Sequence, residues 1–198
     1  MWERVSERLE GRLVVVEPLG PEHEDGLWEA AQDPEVWRWL PWHAAADRES
    51  FHRWLEDALA RRGAGLDVPF ALVDASTGAP LGSTRYLTLR PEHRGLEIGW
   101  TWLARSTWGT GANAEAKLLL LAHAFETLGC IRVEFKTDAL NERSRIALEA
   151  LPARFEGIFR KHMLVRGGEV RDSAFYSIVE DEWPSVERTL ISRLDAMR

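Results

Sequence analysis

Between a strand-like segment, Leu96 to Leu103, and a long apolar helix pattern lies the run Trp108-Gly109-Thr110-Gly111-Ala112-Asn113-Ala114-Glu115-Ala116-Lys117. Two glycines at such a junction let the backbone turn tightly and leave its N–H groups bare, and the helix start adds partial positive charge. A run of this kind is a receptor for phosphate, although a plain strand-to-helix turn can be written in the same residues. Further on, Asn141 opens a second helix pattern and is a good cap for it, its side-chain oxygen able to accept an N–H of the first turn. Other chemistries have less behind them. The lone Cys130 stands just ahead of a strand pattern and reads as a small core residue rather than a nucleophile. The six histidines show no His-x-x-x-His or cysteine-paired spacing, so no metal site is expected. The glycine loop lacks the Lys-Ser/Thr of a P-loop, which argues against a nucleotide triphosphatase.

The elements that must position these residues alternate between strand and helix patterns. Arg12 to Pro18 reads as a valine-rich first strand, and Glu22 to Ala31 and Glu49 to Arg62 read as helices, the second capped by Asp47 or Ser50 and stopped at Gly63. Pro69 to Asp74 and Pro80 to Leu89 are strands joined by the turn Ala75-Ser76-Thr77-Gly78. Leu96 to Leu103 is the next strand, Ala112 to Leu128 a helix, Ile131 to Thr137 a strand, and Asn141 to Leu151 a helix stopped near Pro152. Phe155 to Val165 and Val170 to Val179 flank Arg166-Gly167-Gly168-Glu169 as a hairpin, and a helix from Pro184 to Leu194 closes the pattern. With 198 residues, 45% hydrophobic, and no repeat or long linker, the expectation is one mixed α/β domain over 1–198.

Composition narrows the partners. The densest apolar stretch, Leu118 to Ala122, is far too short to cross a membrane. Met1-Trp2-Glu3-Arg4 lacks the basic start and apolar run of a secretory signal. One cysteine cannot form an internal disulfide and fits a reducing cytoplasm. A net charge of -7, with no interleaved basic and aromatic stripe, argues against nucleic acid while leaving room for a small polyanion on a local cluster of N–H groups. Ten tryptophans are many for this length, and Trp37, Trp39 and Trp42 crowd one connector. They serve either as packing for the N-terminal helices or, for one or two of them, as the wall of a pocket.

The order of strand, Trp108-Gly-Thr-Gly, long helix, strand, Asn141-Glu-Arg-Ser144 helix, Glu156-Gly157 and closing hairpin resembles the GNAT superfamily of acyl-CoA N-acyltransferases, and within it the Rim-type branch of ribosomal-protein N-terminal acetyltransferases. Further marks are Gly82-Ser83-Thr84-Arg85, Glu97-Ile98-Gly99, Asn113-x-Glu115-Ala116, Ala124-Phe125-Glu126, Arg171-Asp172 and Glu182-Trp183-Pro184, so the likeness runs from Arg12 to Leu194. It implies a GNAT fold: a mixed, strongly bent central sheet with helices on both faces and a V-shaped gap for acetyl-CoA, the cosubstrate, with no metal. The pantetheine arm would pair with backbone around Leu103, and the pyrophosphate would sit on Trp108, Gly109, Thr110, Gly111, Ala112 and Asn113. This loop departs from the usual superfamily pattern, with Trp108 in place of Gln or Arg at the first position and Asn113 in place of Gly or Ala at the sixth.

The resemblance also implies roles. Asn141 would bind the pantetheine arm as well as cap its helix, and Ser144 would face the thioester sulfur, either as a hydrogen-bond donor to it or as a packing or CoA contact; the tyrosine that many members place one turn on is replaced by Leu148. Glu97 is the first candidate base, or else a strand carboxylate paired with an arginine such as Arg85. Some Rim-type enzymes place the base on the closing hairpin, which falls here near Met163, a residue that takes no proton; His162 would face the other side if strand pairing is regular, Arg171-Asp172 would be either an aid or an ion pair, and a water chain is the remaining route for the proton. Trp39, Trp42 and Arg85 are candidate acceptor contacts, and Arg143, Arg145 or Lys117 candidates near the adenosine. The reading is a cytoplasmic acetyl-CoA-dependent N-acetyltransferase, monomer or homodimer, acting on a protein or peptide N-terminus or on a small-molecule amine. A non-catalytic acyl-CoA-binding or sensing module is the alternative.

Overall fold

The computed structural model describes residues 3–42 and 47–197. Met1 and Trp2, which open the chain's N-terminal run, lie outside them. The strands are β1 (Leu9–Glu10), β2 (Val14–Pro18), β3 (Val68–Asp74), β4 (Pro80–Arg90), β5 (Gly95–Leu103), β6 (Arg132–Asp138), β7 (Arg154–Val165) and β8 (Glu169–Val179). They form one open sheet of eight strands in the order β1-β2-β3-β4-β5-β6-β8-β7. Every neighbouring pair is antiparallel except β5 and β6, which run parallel. The helices are α1 (Glu24–Ala30), α2 (Arg48–Gly63), α3 (Ala112–Ala122), α4 (Glu142–Glu149) and α5 (Trp183–Asp195). The mixed α/β architecture expected from the alternating patterns is the one observed.

Each face of the sheet has its own core. On one, α3, α4 and α5 bury Ala116, Leu120, Leu121, Leu148 and Leu190 against Val14, Phe70, Tyr86, Ile98 and Val133. On the other, α1 and α2 bury Leu27, Phe51, Trp54 and Leu55 against Ala71, Val73 and Trp102. Trp37 belongs to this second core, with ring centres 6.3, 5.8 and 5.1 Å from those of Phe51, Trp54 and Trp102 and its indole N–H donated to the Ala31 carbonyl at 2.9 Å. For this tryptophan the packing role holds.

The departures from the sequence reading are local. The two-residue β1 is too short to carry an alternation pattern, and β2 starts at Val14 rather than Arg12. The helix expected to run from Ala112 to Leu128 is α-helical only to Ala122 and continues as a wider π turn over His123–Thr127. There the buried Tyr86 hydroxyl donates to the Leu120 carbonyl at 2.6 Å, competing for an acceptor of the helix's own ladder. Asp47 is the residue that caps α2, accepting from the Ser50 N–H at 2.7 Å, and Asn141 caps α4, accepting from the Ser144 N–H at 3.1 Å.

Two features of the sheet open a gap in it. The parallel pairing of β5 with β6 covers only Gly95–Glu97 and Arg132–Glu134, after which the strands part. Opposite β4, the register steps from Ser83–Trp102 to Arg85–Gly99, so β5 carries one extra residue, and Trp100 takes a φ of 51°, a left-handed value that few non-glycine residues adopt. A bulge of this kind bends β5 away from β6 and leaves its far edge, beyond Glu97, without a strand partner.

Candidate active site

The opening between β5 and β6 is a cleft of about 390 Å³. Glu97, the last paired residue of β5, stands at its vertex. It is almost fully buried, and its Oε2 accepts from Lys136 Nζ at 2.9 Å and from the Thr88 hydroxyl at 3.2 Å. Burial pushes this carboxyl above its ordinary range, more than the Lys136 ammonium and the two hydrogen bonds pull it down. Such a group accepts a proton more readily than a surface glutamate does.

One wall of the cleft is the open edge of β5 and the loop that follows it. Gly109 and Gly111 both take left-handed backbone angles, φ 81° and 93°, and Gly111 is the N-cap of α3. Among the described residues, the N–H groups of Gly109, Gly111, Asn113 and Ala114 have no intrachain acceptor. Four free donors are thus gathered at and just ahead of a helix start, an arrangement whose partial positive charge suits an anion. Trp108, Gly109, Gly111 and Asn113 line the cleft; Thr110 is exposed, and Ala112 is buried behind them. The Asn113 Oδ1 is buried without a hydrogen-bond partner. Leu103 lines the same wall, but its carbonyl already accepts the Trp108 indole N–H at 3.1 Å, which leaves less of its peptide edge for another chain.

The loop is held from behind by a carboxylate. Glu115, in the first turn of α3, is buried, and its Oε2 accepts from the Leu13 and Val14 N–H groups at 2.6 and 2.8 Å. This fixes the helix start against β2. Facing the loop, Asn141, Ser144 and Leu148 line the second wall, from α4. Arg143 reaches across from that wall, its guanidinium carbon 3.6 Å from the centre of the Trp108 ring, an attractive cation–π stack. Arg145 turns away, to the Tyr176 hydroxyl at 3.1 Å, and does not line the cleft.

The end of the cleft beyond Glu97 is lined by Trp39, Leu40, Pro41, Trp100, Lys136, Met163 and Arg171. The Pro41 carbonyl accepts the Arg166 N–H at 3.1 Å, so the connector before α2 is stitched across this end to the β7–β8 hairpin. Trp39 therefore joins the other lining residues. Trp42 is half-buried outside them.

Arg85 does not enter the cleft. It lies opposite Gly99, while Glu97 lies opposite Leu87, and it is fully buried under Trp100, 4.6 Å from that ring's centre. Its carboxylate partner is Asp67, at 3.2 Å, while Glu97 pairs with Lys136. The reading of His162 rested on regular pairing, and the pairing is not regular. β7 has two extra residues between Phe159 and Met163, and the His162 ring reaches Ser173 Oγ at 3.0 Å, on the same face of β8 as Arg171. Arg171 and Asp172 form no ion pair with each other; Asp172 instead accepts the Lys161 N–H at 2.6 Å.

Lys117 is the residue whose place the sequence concealed most. One turn beyond Asn113 on α3, it lines the cleft wall rather than reaching solvent near an adenosine. Its Nζ meets the hydroxyls of Thr101 at 2.8 Å and Thr84 at 3.5 Å, with no carboxylate to offset its burial. Desolvation alone brings this amine down from 10.5 to about 7. Lys136 and Trp100 were also missed: both sit on strands that look ordinary until the sheet opens. Among the described residues no group of three or more His, Cys, Asp or Glu side chains is placed to hold a metal ion.

The acetyltransferase (GNAT) domain family matches residues 12–154, and the chain belongs to that family. A T. thermophilus structure assigned as an acetyltransferase is 42% identical, covers 95% of this chain and 97% of its own, and superposes with a TM-score of 0.86. A GCN5-related N-acetyltransferase from Brucella melitensis is 32% identical over 96% of this chain and 86% of its own, with a TM-score of 0.89. No curated protein matches. The likeness to a ribosomal L7/L12 α-N-protein acetyltransferase, at 16% identity over 87% of this chain and 94% of its own with a TM-score of 0.76, is one of fold. The family is thus acetyltransferase, and the narrower Rim-type likeness does not extend beyond the fold.

Lys117 makes stability depend on pH. The unfolded chain holds its proton up to 10.5, the native chain only to about 7. Between these values the unfolded state binds more protons, so native stability rises with pH, by up to about 1.4 kcal/mol per pH unit, and the full cost of burying the charge is felt below pH 7. Lys117→Met should remove that rise. Urea unfolding of both proteins across this pH range checks it: the two stability curves should converge toward high pH, and parallel curves would contradict the assignment.

Proposed function

We propose that the chain transfers an acetyl group from acetyl-CoA directly to a primary amine, in the cytoplasm, without a covalent enzyme intermediate. Family membership supports acetyl transfer. The observation that carries the reading is the sheet's opening at Glu97, which leaves the bare edge of β5 leading to a loop with four free N–H donors. An extended arm ending in a pyrophosphate complements both halves of that surface: its amides pair with strand edge, and its phosphates meet the N–H groups.

The geometry supports the following parts. Gly109, Gly111 and Asn113 would hold the pyrophosphate, with the unpaired Asn113 Oδ1 free to accept from an amide of the arm. Asn141 and the β5 edge near Leu103 would position the arm, and a β5 N–H beyond Glu97 would stabilise the oxyanion that forms when the amine attacks the thioester carbonyl. Glu97, with its raised affinity for a proton, would take the proton that the amine must lose, and Ser144 would donate a hydrogen bond to the departing sulfur. Trp39 and Trp100 would flank the acceptor, and Arg85 is left with the structural task of supporting Trp100.

Thiol release from acetyl-CoA in the presence of an amine panel tests the reading: sustained amine-dependent release supports the enzyme, and saturable binding without turnover supports a sensing module instead. Two variants test the parts. A side chain at Gly111 would crowd Leu13 and Met197, at 3.1 and 3.2 Å; at Gly109 the space is open, and the cost of a β-branched side chain is confined to its left-handed φ of 81°, which would shift the turn that presents the N–H groups. Gly109→Val should weaken CoA by about tenfold or more in calorimetry. Equal affinity in a folded variant would remove the loop from the site. Glu97→Gln should lower kcat by about 10²–10⁴-fold and abolish the rise of rate with pH that a carboxylate of raised pKa produces; an unaltered profile would end its candidacy as base.

A further inference from the structure

Arg171 is a cation without a partner in the wall of the cleft. It lies on β8 directly opposite Met163, both line the end of the cleft beyond Glu97, and its side chain is only 6% exposed. Among the described residues it makes no hydrogen bond and no ion pair, and its Nε is buried with nothing to donate to. Its neighbours do not supply the missing anion. Asp138 is taken by Arg166 at 3.2 Å, and Glu97 by Lys136 at 2.9 Å. Both carboxylates are near enough to act on Arg171 electrostatically, yet burial and the charge of Arg166 leave its guanidinium harder to keep charged than usual. His162, with its proton affinity lowered by burial and by Lys136 and Arg171, adds no negative charge either. The acceptor end is therefore lined by the cations Arg171 and Lys136 and the carboxylate Glu97, while Arg166 and Asp138, paired with each other, are not among the lining residues.

A buried guanidinium left unpaired costs stability, and a planar fork of donors in that setting matches a carboxylate on two parallel hydrogen bonds. The bridge from Pro41 to Arg166 across the same end limits the bulk of what can lie there. We propose that Arg171 docks a carboxylate of the acceptor, so that the amine acetylated belongs to a free amino acid or another small amino-carboxylate rather than to a peptide N-terminus. The assignment rests on the acetyltransferase reading and narrows it: Glu97 handles the amine proton while Arg171 fixes the other end of the same molecule.

The test measures initial rates of thiol release with acetyl-CoA and the standard amino acids, their carboxamides, the corresponding decarboxylated amines, and neutral tripeptides with a free N-terminus. Calorimetry of the same compounds against the CoA-loaded protein runs beside it. The acids should be preferred over their carboxamides, amines and peptides. Arg171→Gln should raise the KM of the preferred acid by about tenfold to hundredfold, with the KM for acetyl-CoA unchanged, and Arg171→Lys should recover part of the loss. Arg171→Gln should also melt at the same temperature as the wild type or higher, because it removes an unpaired buried charge; a purely structural arginine would lower the melting temperature. Carboxylate-selective, Arg171-dependent binding with no turnover of any amine would keep this assignment and overturn the acetyltransferase reading. Turnover or binding without preference for the acid, a preference that survives in Arg171→Gln, or no binding by any member of the panel would overturn the assignment.

Discussion

The parting of β5 from β6 after Glu97 governs the rest of the molecule. A sheet interior is normally closed by strand-to-strand hydrogen bonds, and an unpaired edge there is costly unless water or a ligand satisfies it. Here the parallel pairing stops after Gly95–Glu97, and the extra residue at Trp100 directs β5 away from its neighbour. The two cores on opposite faces hold the halves of the sheet in that open arrangement. Tyr86, Ile98 and Leu120 pack on one side, and Trp37, Trp54 and Trp102 on the other. The contacts that cross the gap are side-chain or connector contacts: Lys136 to Glu97 at its vertex, Arg143 on Trp108, and the Arg166 N–H to the Pro41 carbonyl.

Around that gap charged groups are buried in an order that stability alone would not select. Glu97 is shifted toward its protonated form, and Lys117 toward its neutral form, in both cases chiefly by burial. Arg171 stays unpaired. Away from the cleft, buried charges do have partners of opposite sign or backbone donors: Arg85 pairs with Asp67 through one of its nitrogens, and Glu115 accepts from two backbone N–H groups. Shifted titratable groups gathered in one cleft are the usual mark of a functional site, since positions free of a chemical task tend to be paired or replaced by apolar residues.

What the sequence disclosed was local. The two glycines before α3, the cap at Asn141 and the hairpin over Arg166-Gly167-Gly168-Glu169 are short-range features, and the structure has each where the residues placed it. Glu97, Trp39, Asn141 and Ser144 meet in one cleft because the order of elements that resembled the family is the order observed. The misplacements share a cause. Arg85 is drawn to Asp67, in the loop ahead of β3, and the position of His162 depends on a bulge that alternation cannot show. Lys117 and Arg171 look like ordinary surface cations in a charged sequence, and only the fold reveals that one is buried on two threonines and the other faces an opening with no acid opposite. The π turn after Ala122 was hidden likewise, for it answers to Tyr86 from another strand.

The proposed function requires the open edge of β5 and the free N–H groups of the loop to receive the CoA arm together. Hydrogen–deuterium exchange with and without CoA measures those groups directly, because a ligand that accepts their hydrogen bonds must slow their exchange. Protection should be confined to Ile98–Leu103 and Gly109–Ala114, with the cores around Trp37 and Tyr86 unchanged. Saturable CoA binding that leaves both segments exchanging as in the free protein would contradict it.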